Sequence, residues 1–250
     1  QGEETNCATI ATKFVNSNVD LIMANATQAV ISSATATSDI PIVGTSVTDY
    51  VTTGTVKSND APGGNVTGTS DLAPIDQQVE LLQKLVPDAK NVGILYCSAE
   101  ANSVYQAEQA QKYLEKAGIT AKTYTAADSN DIQQVVTKAA DENDAIYIPT
   151  DNTAASCTEA INNVADPAGV PIFAGEEGIA KGCGVATLSI SYYDLGYKTG
   201  EMAYDILVNG ADISTMEVQS APNFTKEYIK DRADKLGITV PDGYTEITAE

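Results

Sequence analysis

Short polar segments follow apolar runs at several points of this 250-residue chain, and the residue types suit the binding of a small ligand. The pattern occurs at residues 19–28, 92–103 and 145–153. Each instance predicts a buried strand that leads into a helix start. A helix start exposes unpaired main-chain N–H groups and the positive end of the helix dipole, so it can hold an anion. Several such turns along one edge of a parallel sheet form a ligand crevice.

The absence of histidine from the sequence restricts catalysis and metal binding. Histidine is the commonest general base and the commonest metal ligand, so Ser-His-Asp and Cys-His catalytic sites are impossible. A zinc site of the usual kind is not expected. The segment Gly182-Cys183-Gly184 lacks the further glycine and lysine of a phosphate-binding loop. We therefore expect no enzymatic activity and no cofactor.

The charge balance and the cysteines narrow the class of protein further. The chain carries 34 acidic and 14 basic residues, a formal charge of −20, which argues against nucleic acid and anionic membrane surfaces as partners. No apolar stretch approaches the 18 residues of a membrane span. The spacing of Cys7, Cys97, Cys157 and Cys183 leaves two alternatives open, four reduced thiols or a Cys157–Cys183 disulfide.

Strands and helices that would position the polar segments alternate along the chain. This alternation predicts parallel sheets covered on both faces by helices. The segment 51–68 is expected to be a loop, because it is rich in turn-forming residues. The predicted strands are 19–24, 39–44, 91–96, 121–126, 144–149, 170–174 and 184–191. The predicted helices are 7–16, 27–36, 75–85, 102–117, 132–140, 154–165 and 193–209.

Two lobes are expected, each a small sheet flanked by helices. The Gly-, Pro- and Thr-rich stretch 52–74 is the candidate crossover, and the segment 189–191 is the candidate return. Lobe one would comprise residues 1–73 and 190–218, and lobe two residues 74–189. Residues 219–250 would form a crossover strand and a C-terminal helix.

Eight segments together resemble the ABC-transporter substrate-binding proteins that carry aromatic amino acids, often called the tryptophan-binding type. The resemblance implies an α/β, two-lobed fold like that of the periplasmic binding proteins of type I, with a ligand cleft between the lobes. Family members have a strand, a helix and a second strand before the segment that begins here, so lobe one is expected to lack its central first strand. The segments are 19–29, 40–49, 64–68, 71–78, 100–103, 149–153, 175–178 and 192–196.

The resemblance also implies which residues contact a ligand. An amino acid needs N–H or hydroxyl donors for its carboxylate, a carboxylate for its ammonium and an apolar pocket for its side chain. We expect the turn at Thr27 to receive the carboxylate and Asp151 to receive the ammonium, with helix capping as their alternative role. Tyr192 and Tyr193 could form an aromatic platform or pack in the ordinary way. The expected ligand-binding residues are Ala26, Thr27, Gln28, Ser46, Thr48, Asp49, Glu100, Asn102, Ser103, Asp151, Asn152 and Glu176.

The function implied by the resemblance is that of the solute-binding component of an ABC importer. Such a protein is extracytoplasmic, either a cell-surface lipoprotein or periplasmic, and delivers its ligand as a monomer to a membrane permease. The expected ligand is an aromatic amino acid such as tryptophan, phenylalanine or tyrosine, although other small carboxylates or a nucleoside would fit the architecture. The alternative is a ligand-sensing domain of a transcriptional regulator or receptor with the same fold.

Overall fold

The structure is a computed structural model that describes residues 4–221 and 223–249. The chain divides into two compact units. Unit 1 comprises Gln1–Leu72 and Ser191–Asn223, and unit 2 comprises Ala73–Ile190 and Phe224–Glu250. Both units belong to the α/β class, with parallel strands flanked by helices.

The elements of the two units follow one another in chain order. The strands are β1 (Ile22–Asn25), β2 (Ile42–Val47), β3 (Val66–Ser70), β4 (Asn91–Cys97), β5 (Thr120–Ala126), β6 (Ala145–Ile148), β7 (Ile172–Ala174), β8 (Ala186–Ser189), β9 (Gln219–Ser220), β10 (Thr225–Ile229) and β11 (Thr245–Ile247). The helices are α1 (Glu4–Asn16), α2 (Thr27–Ala36), α3 (Ile75–Leu85), α4 (Ala101–Lys116), α5 (Ile132–Glu142), α6 (Asn152–Ser156), α7 (Thr158–Ala168), α8 (Glu177–Gly182), α9 (Tyr192–Leu207) and α10 (Lys230–Leu236). A short 3-10 helix spans Ile213–Thr215.

Unit 1 is built on a parallel four-stranded sheet of order β1-β2-β3-β9. Its core contains Ile22, Val30, Ile42 and Val47, all buried, from β1, α2 and β2. Helix α9 packs against β2 and β3. The carboxyl ends of β1, β2 and β3 therefore lie at one edge of the sheet, as parallel pairing requires.

Unit 2 is built on a seven-stranded sheet of order β11-β10-β8-β7-β6-β4-β5. Five strands of this sheet, β4, β5, β6, β7 and β8, are mutually parallel, whereas β10 runs antiparallel to β8. Strands β4 and β6 read as continuous apolar runs, which is typical of strands buried on both faces. Their side chains pack with α5 and α7 in one core that includes Leu95, Ile146, Ile148 and Ile161.

We expected residues 51–68 to form a loop, but residues 66–68 belong to strand β3, so the prediction was wrong at the end of this segment. Its sequence Val-Thr-Gly-Thr-Ser contains one aliphatic residue, and the usual apolar signal of a strand is missing. The threonines are fully buried and satisfied by hydrogen bonds instead. Thr67 Oγ1 donates to the Met216 carbonyl at 2.6 Å, and Thr69 and Thr199 share a hydroxyl–hydroxyl bond of 2.9 Å.

Two further expectations need correction. The helix predicted over 154–165 is two helices, α6 and α7, which meet at Cys157. The antiparallel pairing of β10 with β8 departs from the all-parallel sheets inferred from the alternating pattern. The four cysteines are free thiols, with Cys97 and Cys183 buried. Within the described residues, none of the helices is both long and apolar enough to cross a bilayer.

Candidate functional site

The first group of predicted site residues surrounds the carboxyl ends of β1 and β2 in unit 1. Ala26 follows β1 directly, and its N–H donates to the Thr45 carbonyl of β2 at 3.0 Å. Ser46 and Thr48 lie at the end of β2, where the pairing with β3 shifts register between Gly44 and Val47. Parallel pairing thus brings together two turns that are about 20 residues apart in sequence.

The backbone is strained at both of these turns. Ala26 has φ 74° and ψ 159°, a region that is essentially restricted to glycine, and Ser46 has φ 55° in the left-handed region. Each such residue costs on the order of 1–3 kcal/mol and persists where the surrounding structure holds it. Observed strain of this kind concentrates at functional sites, and here it falls on two predicted ligand-binding residues.

The start of α2 has no side-chain hydrogen bond at its N-cap residue, Ala26. Thr27 is the first helical residue and is buried, so the capping role considered for it is not the one observed. Gln28 turns its amide toward the same helix and donates to Ser32 Oγ at 3.2 Å. The N–H groups of this helix start are thus not engaged by a capping side chain of their own.

Asp49 and Thr48 have different surroundings. The Asp49 carboxylate accepts the Thr52 N–H at 2.7 Å and so fixes the following turn. Thr48 is buried, and its hydroxyl donates to Asp71 Oδ1 at 3.2 Å. The sequence reasoning did not select Asp71 as a site residue, although it directly follows β3.

Asp71 is held at the same edge of the unit 1 sheet. Its N–H donates to the Val47 carbonyl at 3.2 Å, and the Tyr192 hydroxyl donates to Oδ2 at 3.4 Å. Burial raises the pKa of the Tyr50 phenol, and the nearby Asp71 carboxylate raises it further. Tyr192 is half-buried, whereas Tyr193 is 79% exposed, so the two tyrosines do not form one platform.

Glu100 organises the second group of predicted residues, which belongs to unit 2. Its carboxylate accepts the N–H groups of Asn152 and Thr153 at 3.0 and 2.8 Å, and their side chains at 2.7 Å each. The Asn102 amide donates to the same carboxylate at 3.3 Å. Glu100 follows β4 and Asn152 begins α6 after β6, so one carboxylate joins two neighbouring strand ends.

The main-chain N–H and carbonyl of Thr150 are the centre of a second hydrogen-bond network at this edge of the unit 2 sheet. Its carbonyl accepts hydrogen bonds from Asn102 Nδ2 at 3.0 Å, Ser103 Oγ at 3.4 Å and Gln106 Nε2 at 3.2 Å. The Gln106 Oε1 in turn accepts the Thr150 N–H at 3.3 Å. Asn102 and Ser103 lie inside α4, so they fix the end of β6 rather than cap their own helix.

Asp151 is 1% exposed and is the most deeply buried of the predicted carboxylates. Its two oxygens accept the Cys97 N–H at 2.6 Å and the Ala154 N–H at 2.7 Å. Burial raises the pKa of Asp151, and the nearby Glu100 charge raises it further, while the two N–H groups act in the opposite direction. Asp151 therefore caps α6 and ties it to β4.

Glu176 plays a similar local role at α8. Its carboxylate accepts the N–H groups of Gly178 at 2.7 Å and of Ile179. Burial raises its pKa, and those two N–H groups lower it. The buried Gln78 side chain donates from Nε2 to the neighbouring Gly175 carbonyl at 3.1 Å. Gln78 therefore contacts the end of β7, although it was not among the predicted site residues.

Comparison with known proteins identifies a family. The family model described as ABC transporter substrate binding protein matches residues 1–249. A tyrosine-binding protein of Clostridioides difficile is 38% identical over 207 residues, which cover 83% of this chain and 60% of that protein. The match thus spans less than two thirds of that relative's length.

Two solved structures have closely related sequences. A domain from Streptococcus pneumonia in complex with L-Trp is 35% identical, with a TM-score of 0.94 over 98% of this chain and 84% of that one. A substrate binding protein with adhesive properties from Clostridium difficile, in a ligand-free, open structure, is 34% identical, with a TM-score of 0.74 over 99% of this chain and 84% of that one. These matches favour the transporter reading over the regulator alternative, and they confirm the resemblance and the fold class.

Proposed function

We propose, because this chain belongs to the ABC transporter substrate-binding protein family, that it is the solute-binding component of an importer for an aromatic amino acid. Its relatives include a tyrosine-binding protein and a domain bound to L-Trp, which supports this ligand class. The family is one of binding proteins, and we propose that the chain has no catalytic activity.

The observation that carries the proposal is the strained turn at Ala26. Its unusual backbone, with no side-chain cap on α2, leaves a helix start that suits a carboxylate. Thr27 and Gln28 belong to the same helix start, and Ser46 is strained beside it. We propose that these residues receive the ligand's carboxylate.

The unit 2 residues have a complementary proposed role. Glu100, Asn102, Ser103, Asp151 and Asn152 form a connected polar network whose geometry is fixed by main-chain hydrogen bonds. We propose that this network and Glu176 form a rigid polar wall that contacts the remainder of the ligand. That the ligand lies in a cleft between two lobes stays a prediction.

Partners and location complete the proposal. We propose an extracytoplasmic protein, anchored as a lipoprotein or periplasmic, that acts as a monomer and delivers its ligand to a membrane permease. Crosslinking of the purified protein in solution would test the monomeric state, and co-purification with a candidate ABC permease would test the partner.

Titration calorimetry tests the ligand class directly. The chain is titrated with tyrosine, tryptophan and phenylalanine, and with leucine as an aliphatic comparison. We expect saturable one-to-one binding of at least one aromatic amino acid and weaker binding of leucine. Absence of binding by all three aromatic amino acids would overturn the proposal.

A matched pair of variants tests the helix start. Thr27→Val removes a hydroxyl at the first position of α2 and is expected to weaken amino acid binding roughly three- to tenfold. Thr35→Val is the control, because Thr35 lies in the same helix but is exposed and bonds only locally to the Ile31 carbonyl. Equal affinities for both variants would count against the assigned site.

A further inference from the structure

Exposed apolar residues are concentrated on one side of α9. Five large apolar side chains lie in this helix or directly after it, and more than half of each residue's surface is exposed. They are Tyr193, Tyr197, Tyr204, Leu207 and Val208. Exposed apolar residues that occur singly need no explanation, whereas a contiguous patch of them is typical of a surface that another molecule covers.

The spacing of these residues places them together. The three tyrosines and Val208 follow one another at intervals of four, seven and four residues, which a helix of 3.6 residues per turn brings to the same side, with Leu207 at its border. These five residues form the outer face of α9. The inner face packs against β2 and β3. Its buried residues are Leu195, Thr199 and Met202.

Helix α9 is therefore largely apolar on two opposite faces, and the sheet of unit 1 covers one of them. A helix that is hydrophobic all round is normally buried, because apolar surface is stabilised by its removal from water. Tyrosine is also enriched at protein interfaces, where its ring packs and its hydroxyl forms hydrogen bonds. The outer face thus has the composition of a protein-binding surface.

Two glycines leave room for a close approach to this face. Gly196 and Gly200 lie one turn apart, and a Cβ atom at either position would meet nothing within 4 Å. The stretch 193–208 is about 22 Å long, at a rise of 1.5 Å per residue. A surface of this length, apolar and locally free of side chains, suits a second helix whose own apolar residues recur every three or four positions.

The charged residues of α9 lie along one border of the outer face. They are Asp194, Lys198, Glu201 and Asp205, all exposed. Lys198 is paired with Glu201 at 3.2 Å, so the border is negative overall. A partner with basic residues on one edge complements this border. A second copy of the chain would instead bring the same negative border and a further formal charge of −20, which disfavours self-association.

We propose that the outer face of α9 is a docking site for an amphipathic helix of another protein. The apolar face of that helix packs on the three tyrosines, and arginine or lysine residues along one of its edges meet the Asp194, Glu201 and Asp205 carboxylates. This surface is separate from the proposed amino-acid-binding residues, and the proposal does not depend on them.

A displayed library of helical peptides tests the proposal. Each peptide keeps leucine and alanine on one face and varies the edge positions among arginine, glutamine and glutamate, and the library is selected for binding to the full chain. We expect the selected peptides to carry arginine along one edge, because only that edge complements the border of the outer face. Failure to select any peptide, or selection of peptides with glutamine or glutamate edges, would overturn the proposal.

Matched tyrosine variants locate the binding surface. Tyr197→Ala and Tyr204→Ala are each expected to weaken binding of a selected peptide by at least about tenfold, measured by fluorescence anisotropy. Tyr113→Ala is the control, because Tyr113 is an exposed tyrosine of α4, and it is expected to change binding by less than about twofold. Circular dichroism checks that all three variants are folded. Equal weakening by the Tyr113 variant would contradict the assigned surface.

Gly200→Ala tests the close approach of the partner helix. The added methyl group meets open space in the free protein, and alanine favours a helix over glycine, so we expect the variant to fold with a raised melting temperature. The methyl group obstructs the partner, so the peptide should bind at least about threefold more weakly. Unchanged peptide binding would contradict the proposal. A dimer of the unmodified chain in light scattering, lost in Tyr197→Ala, would assign the face to a second copy and overturn it.

Discussion

Gly44 and Gly68 lie directly opposite each other in the register of β2 and β3, and the Tyr50 side chain occupies the space that their missing side chains leave. The Tyr50 hydroxyl donates to the Thr69 carbonyl at 3.1 Å. Gly68 also has φ +152°, which residues with a side chain rarely adopt. This arrangement brings β2, which contains Ser46, into close contact with β3, which Asp71 directly follows.

Gly68→Ala should therefore destabilise unit 1 severely. A Cβ atom at Gly68 would lie 2.6 Å from the Gly44 nitrogen, a main-chain atom that cannot move without breaking the pairing. We expect a loss of more than about 3 kcal/mol in the free energy of unfolding, measured by urea denaturation. Gly64→Ala is the control, because a Cβ there meets nothing within 4 Å. Comparable stability of the two variants would contradict this account.

Asp151→Ala should destabilise unit 2. The change leaves the N–H groups of Cys97 and Ala154 without their acceptor in a buried setting, at a cost of about 1–3 kcal/mol each. Urea denaturation should show a decrease of about 2–5 kcal/mol. The exposed α5 residue Asp141 provides the control, and Asp141→Ala is expected to change stability by less than about 0.5 kcal/mol.

Arg232 lies in α10, and its side chain forms hydrogen bonds to the C-terminal end of α8. Its guanidinium donates to the carbonyls of Ala180, Lys181 and Gly184 at 2.8, 2.9 and 3.0 Å and to that of Gly182 at 2.7 Å. These are carbonyls at or near a helix C-terminus, which need external donors. The planar guanidinium, with its fixed set of donors, suits several carbonyls at once, whereas an ammonium group does not.

Arg232→Ala is expected to lower the free energy of unfolding by about 2–4 kcal/mol, and Arg232→Lys to recover less than half of that loss. Thermal denaturation of both variants measures the effect. Lys230→Ala is the comparison in the same helix, since its ion pair with Asp234 is exposed and contributes little. Full recovery by lysine would mean that charge alone accounts for the role of Arg232.

Glu227 should give unit 2 a pH-dependent stability. Its Oε2 atom is buried and has no hydrogen-bond partner among the described residues, and burial raises its pKa to about 7. The nearby Glu177 charge also raises the pKa, and Lys181 lowers it. Thr187, its register partner on β8, likewise has a buried hydroxyl oxygen without a described partner.

The sign of this dependence follows from proton linkage. The folded state keeps the Glu227 proton to a higher pH than the unfolded state does, so the contribution is fully present below about pH 4.5. It is lost as the pH rises through about 7. Glu227→Gln should therefore gain stability relative to the unmodified chain at pH 8 but not at pH 4, as measured by urea denaturation. An equal difference at both pH values would exclude Glu227 as the source.

The sequence predicted the locations of the strand-end turns well, because an apolar run that ends in small polar residues has a local signature. Helices α2 and α3 begin and end at the predicted residues for the same reason. The prediction failed at β3, whose buried threonines lack that signature and depend on partners such as Met216, far away in the chain.

The contacts of the candidate site could not be predicted in the same way. The Asp71–Tyr192 hydrogen bond joins residues 121 positions apart, and the Glu100–Thr153 bonds join residues 53 positions apart. Ser46 is strained without any glycine or asparagine to signal it. Such features depend on how the sheet brings strand ends together, which a local pattern does not encode.

The position of Glu100 at the start of α6 has a consequence for how a zwitterion can approach unit 2. That helix start already holds the Glu100 carboxylate, which accepts the N–H groups of Asn152 and Thr153. Under the proposed function, the carboxylate of an arriving amino acid would be repelled at this edge of unit 2, so the ligand would bind with its carboxylate facing away from Glu100.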